Sequence, residues 1–384
     1  MIASITSTVQ WGAPIRTYRT LLYDDPPSAW DAMITNPRVF EAGHQPQQLL
    51  HRESAVGTVL RRLRPTAQRG CGDVLLAGPS GVGKTVLATH CCQRLQGQRG
   101  IDTAHVQTLG ASPAGIVRDI LQQLPGPDPA TNTPAADLNT MLYDRVDEPT
   151  VVVLDEGDDL PGSDALQRLF DVAAIGVVVI CHDPDAWLAS ADRRVRDRLG
   201  STTLGLDRYT VDELADILEA RSRVGLEPGS VTRRQLEAIA DQVAGVARAG
   251  IQTLRAAAQE SARRGYGQVR GEVLERAHEL AQRHIREQRL ASLPLHHQII
   301  YEIIRDAGEI KAQAFHDRYD AMADDVYQGV PKTPIAKGSR RRKCRKLVEY
   351  GLIEWAGENR DREYRVCDGD IGSPIGMEIP RASE

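Results

Sequence analysis

Lysine is almost missing from this chain. The 384 residues carry 47 Lys+Arg, yet Lys84 is the one lysine in the first 310 residues, and basic charge is written as arginine until the last quarter. Other absences narrow the class. No apolar run approaches the ~18 to 20 residues that cross a bilayer, and the opening residues have no charged leader, so a cytoplasmic location is expected. The six cysteines (Cys71, Cys91, Cys92, Cys181, Cys344, Cys367) form no C-x-x-C pair or metal-ligand spacing and read as reduced, mostly buried small hydrophobes. There is no internal repeat and no low-complexity tract.

A chain that avoids lysine but keeps one at a single place uses a compact ammonium there, not a guanidinium fork. Lys84 lies in Gly78-Pro79-Ser80-Gly81-Val82-Gly83-Lys84-Thr85, a G-x-x-x-x-G-K-[ST] phosphate loop. In such a loop the backbone N–H groups cradle a triphosphate, the lysine reaches the β/γ-phosphates and the threonine hydroxyl holds Mg²⁺. Its context agrees: Asp73 to Ala77 reads as a buried strand entering the loop, and Lys84 to Leu95 as the helix leaving it. Two more β-branched runs, Thr150 to Leu154 and Gly176 to Cys181, point to a parallel sheet covered by helices on both faces.

Asp155 and Glu156 follow the run Thr150 to Leu154, at the strand end where open α/β sheets bind ligands. Asp155 is placed to share Mg²⁺ with Thr85, and Glu156 to polarise a water; the bland alternative is a solvated acidic turn, since Asp158 and Asp159 follow. His182, after the third strand, is a candidate polar sensor or a satisfied structural histidine. Arg194 and Arg198, in a basic run, are either a solvated helix face or an arginine finger for a neighbouring subunit's phosphate. Arg248 is a candidate to close the following helices onto the nucleotide, or else a surface arginine.

From Thr210 the strand pattern stops. Thr210-x-x-Glu213 and Thr232-x-x-Gln235 are capping boxes, and helical patterns continue to about Gln288. After Pro294 the pattern is three helices and two short strands, Leu352 to Trp355 and Glu363 to Val366, as in a winged helix-turn-helix. The charge is concentrated here: residues 335–366 carry a net +5, against −10 for the rest of the chain. On the last helix Cys344, Leu347 and Val348 share an inward face. Ser339, Arg342, Lys343 and Lys346 then point outward with Arg345 at the edge, as double-stranded DNA recognition requires. Arg360 and Arg362 fall at the wing tip. A charged solvent face or a protein-binding wedge is the competing reading.

In this order the motifs resemble the origin-recognition and cell-division-control replication initiators, in their archaeal form. The likeness runs from about Pro46 to Val366. It includes His51-Arg52-Glu53, the two Walker motifs (Gly78 to Thr85 and Val151 to Glu156), Arg194 to Leu199, Tyr209 to Leu214 and Gly245 to Arg248. It implies an α/β P-loop AAA+ core with a parallel sheet over residues 46–206, an all-helical lid over 207–290 and a C-terminal winged helix-turn-helix over 291–370. Segments 1–45 and 371–384 flank them. It further implies ATP and Mg²⁺ as cofactors, slow hydrolysis as a switch, binding to origin DNA, recruitment of a replicative helicase, and self-association or pairing with related initiators. The chain departs from the family's pattern at His182, where asparagine is usual, at Asp197 and Val246, and in a short, proline-rich Gly126 to Ala136. A DNA-bound regulator of transcription or copy number, or a loader adaptor, stays open beside the initiator.

Overall fold

The computed structural model describes residues 33–65, 70–328, 332–357 and 362–375. Its core begins with α1 (Glu53–Arg62), β1 (Val74–Ala77), α2 (Lys84–Arg99) and β2 (Asp102–Gln107). It continues with α3 (Pro113–Leu121), α4 (Ala135–Arg145), β3 (Thr150–Asp155), α5 (Asp164–Asp171) and β4 (Ile175–Cys181). Then come α6 (Pro184–Ser190), α7 (Arg193–Leu199) and β5 (Thr203–Gly205). The five strands form one parallel sheet in the order β2-β3-β4-β1-β5.

Every residue of β1, β3 and β4 is buried, because helices cover both faces. Side chains alternate between two cores. Val152, Leu154, Val177 and Val179 meet α3, α4 and α5 on one face; Val151, Val153, Val178 and Ile180 meet α1 and α2 on the other. The phosphate loop and the residues after β3 and β4 therefore emerge together at one edge of the sheet.

Four helices follow: α8 (Val211–Gly225), α9 (Arg233–Gln242), α10 (Ala247–Arg263) and α11 (Gly271–Ser292). Both expected capping boxes close, with Thr210 and Thr232 each accepting from the third helical residue. Residues 33–40, which carried little sequence signal, pack into this helical core through Met33, Ile34, Val39 and Phe40. The C-terminal unit runs α12 (Leu295–Ala307), β6 (Glu309–Lys311), α13 (Ala312–Val326), α14 (Lys337–Glu349), β7 (Ile353–Ala356) and β8 (Glu363–Val366). Its strands make an antiparallel sheet in the order β6-β8-β7 around a separate core that includes Tyr301, Phe315, Tyr319 and Leu347.

One hinge is tightly specified. Gly245 has φ +75°, and a Cβ there would lie 2.0 Å from the Tyr209 carbonyl oxygen. The Tyr209 N–H in turn donates to the Gly245 carbonyl at 3.1 Å, closing the start of α8 against the turn before α10. Gly245→Ala adds a left-handed penalty of roughly 1–2 kcal/mol to that overlap. We expect it to destabilise the chain by about 2 kcal/mol or more, read as a lower urea midpoint; an unchanged midpoint would show that this contact does not bear on stability.

Candidate functional site

The loop after β1 turns through three glycines of positive φ: Gly78 (+141°), Gly81 (+80°) and Gly83 (+95°). At Gly78 a Cβ would meet the Leu206 carbonyl oxygen at 2.2 Å, so the loop is pressed against the chain leaving β5. Lys84, the first residue of α2, sends its ammonium back over the loop to the carbonyls of Gly78 (2.7 Å) and Pro79 (2.9 Å). Burial pulls its pKa below the usual lysine value, against the opposing pull of Glu156, Asp155 and Asp158.

Thr85 and Asp155, expected to share a cation, are joined: the Thr85 hydroxyl donates to Asp155 Oδ2 at 2.9 Å. Gln107 Nε2 donates to the same oxygen at 3.1 Å, and His105 Nε2 lies 3.4 Å from it. Burial alone would raise the Asp155 pKa, but hydrogen bonds from His105, Thr85 and Gln107 outweigh it and hold the carboxylate below its ordinary range. Next to it, Glu156 adopts a left-handed backbone (φ +57°), an uncommon conformation for a side-chain-bearing residue. Thr108, fully buried, steadies the turn, with its hydroxyl 2.8 Å from the Asp155 carbonyl oxygen and 2.5 Å from that of Glu156. His105, Gln107 and Thr108 were not foreseen; they lie on or just beyond an edge strand whose polar sequence carries no apolar run.

These residues line a cleft of about 640 Å³. Its lining includes Ser80, Lys84, Thr85, Asp155 and Glu156, and also Phe40 to Gln45 with Arg221. His182 also lines it, and its Nδ1 lies 2.9 Å from Asp158 Oδ2, so an acidic partner orients the ring. Arg248 is brought to the phosphate loop, its backbone N–H donating to the Gly81 carbonyl at 3.2 Å. Val246 packs there too, 2.7 Å from where a Gly81 Cβ would stand. The His51-Arg52 element ties the core to the helical unit: Arg52 stacks on the Tyr209 ring at 3.9 Å, and His51 lies 2.9 Å from Asp216.

The α14 residues divide. Arg342 and Arg345 are exposed, as is Arg341, which the sequence reading left out; Ser339 and Lys343 are half-buried. Lys346, expected to face outward, is only 3% exposed and pairs with Glu156 (2.8 Å) and Asp159 (2.6 Å). Reading α14 as an isolated helix missed the cause: its C-terminal end is packed against the acidic turn 156–159, and Lys346 pairs with two of the carboxylates there. Burial opposes the ammonium, but Glu156 and Asp159 raise its pKa above the usual lysine range. Arg362 stacks on Trp355 at 4.4 Å, and Arg360 lies outside the described residues.

Arg198 needs a correction as well. Its guanidinium pairs with Asp73, whose side chain is largely covered, and sits 4.1 Å over the Phe170 ring, clamping α7 to the start of β1. To reach a neighbour's phosphate it would have to abandon a buried carboxylate, the opposite of a presented finger. Arg194 is likewise paired, with Asp171 at 2.8 Å. Arg198→Ala should lower stability in urea by about 1–2 kcal/mol, since it leaves the Asp73 carboxylate with only the Val177 N–H as a partner; a wild-type midpoint would reject the clamp. For the other pair, a double-mutant cycle of Lys346→Met with Glu156→Gln should return a coupling of about 1–3 kcal/mol. Additive effects would mean the two side chains do not interact in solution.

A family model described as AAA ATPase domain matches residues 48–349. The ORC1-type DNA replication protein 9 of Halobacterium salinarum is 29% identical over 355 residues, covering 89% of this chain and 96% of that protein. ORC1-type DNA replication protein 1 of the same organism is 30% identical over 315 residues, covering 78% and 98%. Among solved structures, the Aeropyrum pernix ORC1 protein in complex with DNA superposes with a TM-score of 0.69 at 22% identity, covering 87% of this chain and 94% of that one. A phosphate loop joined to an aspartate at the sheet edge is shared by many ATPases, but relatives matched over nearly their whole length are specific, and the chain belongs to the ORC1-type DNA replication proteins of the AAA ATPase family.

Proposed function

We propose that this chain is an ATP-dependent replication initiator: it binds ATP between core and helical unit, binds origin duplex DNA, helps to recruit a replicative helicase, and uses slow hydrolysis as a switch. The observation that carries the reading is the convergence of Lys84, Thr85, Asp155 and Arg248 on one cleft with the phosphate loop. A hydroxyl and a carboxylate 2.9 Å apart are hard oxygen donors that suit Mg²⁺, which takes few protein ligands when it also holds phosphate. When bound, the ion neutralises charge on the phosphate oxygens. Lys84 would exchange its carbonyl partners for phosphate. Glu156 is the residue placed to orient an attacking water, and it is free to do so only when Lys346 releases it; this argues for hydrolysis that waits on a rearrangement.

The C-terminal unit has the element order of a winged helix, with α14 as its recognition helix. DNA is the named partner of the Aeropyrum relative, and Arg341, Arg342 and Arg345 give this chain an exposed basic face for the same polymer. Self-association or pairing with related initiators belongs to the same proposal. In duplex binding at several salt concentrations, Arg342→Ala and Arg345→Ala should each reduce the log–log slope by about 0.9. Unchanged slopes would reject this face. Genome-wide occupancy that coincides with replication starts would support the initiator role, and peaks confined to promoters would replace it with a regulator.

A further inference from the structure

Arg289, near the C-terminal end of α11, is a half-buried cation with no carboxylate in ion-pair contact among the described residues. Its Nη1 donates to the Tyr350 carbonyl at 2.8 Å and its Nη2 to the Ser80 hydroxyl at 3.3 Å, both neutral acceptors. Its guanidinium also lies 5.7 Å over the Tyr350 ring. The strongest charged influence on it is another guanidinium, Arg248, which outweighs the opposing pull of the Glu156 carboxylate. Burial first, and Arg248 second, pull its pKa below the usual arginine value. A buried charge is ordinarily paired. Arg289 instead faces the cleft that Lys84 and Arg248 also line, beside Ser80 of the phosphate loop.

We infer that Arg289 is a third phosphate-binding cation of this site, acting from within the same chain on the terminal phosphate of a nucleoside triphosphate. The inference rests on the proposed ATP site and adds to it a residue outside every motif. It also assigns a consequence. The group that would turn to the phosphate is the one that holds the Tyr350 carbonyl at the end of α14, four residues beyond Lys346. Arrival of the terminal phosphate therefore competes for the contact that seats the C-terminal unit on the core, which links nucleotide state to the α14 face.

The test is fluorescence titration of the full chain with N-methylanthraniloyl-labelled ATP and ADP in Mg²⁺, comparing wild type, Lys84→Ala, Arg289→Gln and Arg289→Lys. Arg289→Gln should weaken ATP at least about tenfold, as expected for loss of a charge-assisted hydrogen bond. ADP should change less than about threefold, and Arg289→Lys should recover part of the loss because the charge remains. ATP affinity within about threefold of wild type for Arg289→Gln, with Lys84→Ala abolishing binding, would overturn this inference and leave the ATP site standing. Equal losses for ATP and ADP together with a lower melting temperature without nucleotide would make Arg289 a strut, and would also overturn it. If the wild type itself shows no saturable binding, the ATP site and this inference fail together.

Discussion

The sheet edge after β3 concentrates negative charge, and the arrangement of the site follows from how that charge is met. Within five residues stand Asp155, Glu156, Asp158 and Asp159, at the end of a strand whose every residue is buried. Each has its own answer. Asp155 is met by Thr85, Gln107 and His105; Asp158 by His182; Glu156 and Asp159 share Lys346. Carboxylates crowded at a half-buried edge repel one another, so removing any of these partners leaves a local excess of negative charge. The α14 lysine is thus as much a part of the site as the phosphate-loop lysine, although 262 positions and three cores separate them in the chain.

The opposite wall of the cleft has the opposite problem. Lys84, Arg248 and Arg289 all line the cleft at the phosphate loop, and the partners of the Lys84 and Arg289 side chains are carbonyls and a hydroxyl. Among the groups lining the cleft, Lys84, Arg221, Arg248 and Arg289 outnumber Glu41, Asp155 and Glu156, and Glu156 is already paired with Lys346. What is left is a net positive lining suited to a polyanion. A strong field in a concave, partly desolvated site is worth more than the same charges in water, so this imbalance is where binding free energy for a triphosphate would come from.

How much of this could be read from the sequence depends on whether a residue's role is local. The phosphate loop, Asp155 and the capping boxes at Thr210 and Thr232 were legible, since each is specified by spacing within a few residues. So were the buried strands, whose β-branched runs need no partner to be recognised. The edge strand β2 (Asp102–Gln107) was not, because only alternate residues of an edge strand are buried and its sequence is polar. Nor was the seating of α14: the faces of an isolated helix separate Cys344 and Leu347 from Lys346 correctly, yet they say nothing of which second surface covers the outer face. The in-chain partner of Arg198 was illegible for the same reason, since Asp73 lies 125 residues away.

Packing between the C-terminal unit and the core is more than a single ion pair. Leu109 of the core joins the C-terminal hydrophobic cluster, and Pro294 presses on Gly110, 2.9 Å from where its Cβ would stand. Arg286 and Arg289 hold the carbonyls of Gly351 and Tyr350 at the end of α14. A helix C-terminus carries partial negative charge and unsatisfied carbonyls, so two arginines there satisfy it in the way cations ordinarily do. This makes the docked position of α14 a defined state, held at one end by α11 and along its side by the acidic turn. Any ligand that draws a cation away from either contact weakens both, because α14 is rigid and its C-terminal turn and Lys346 move together.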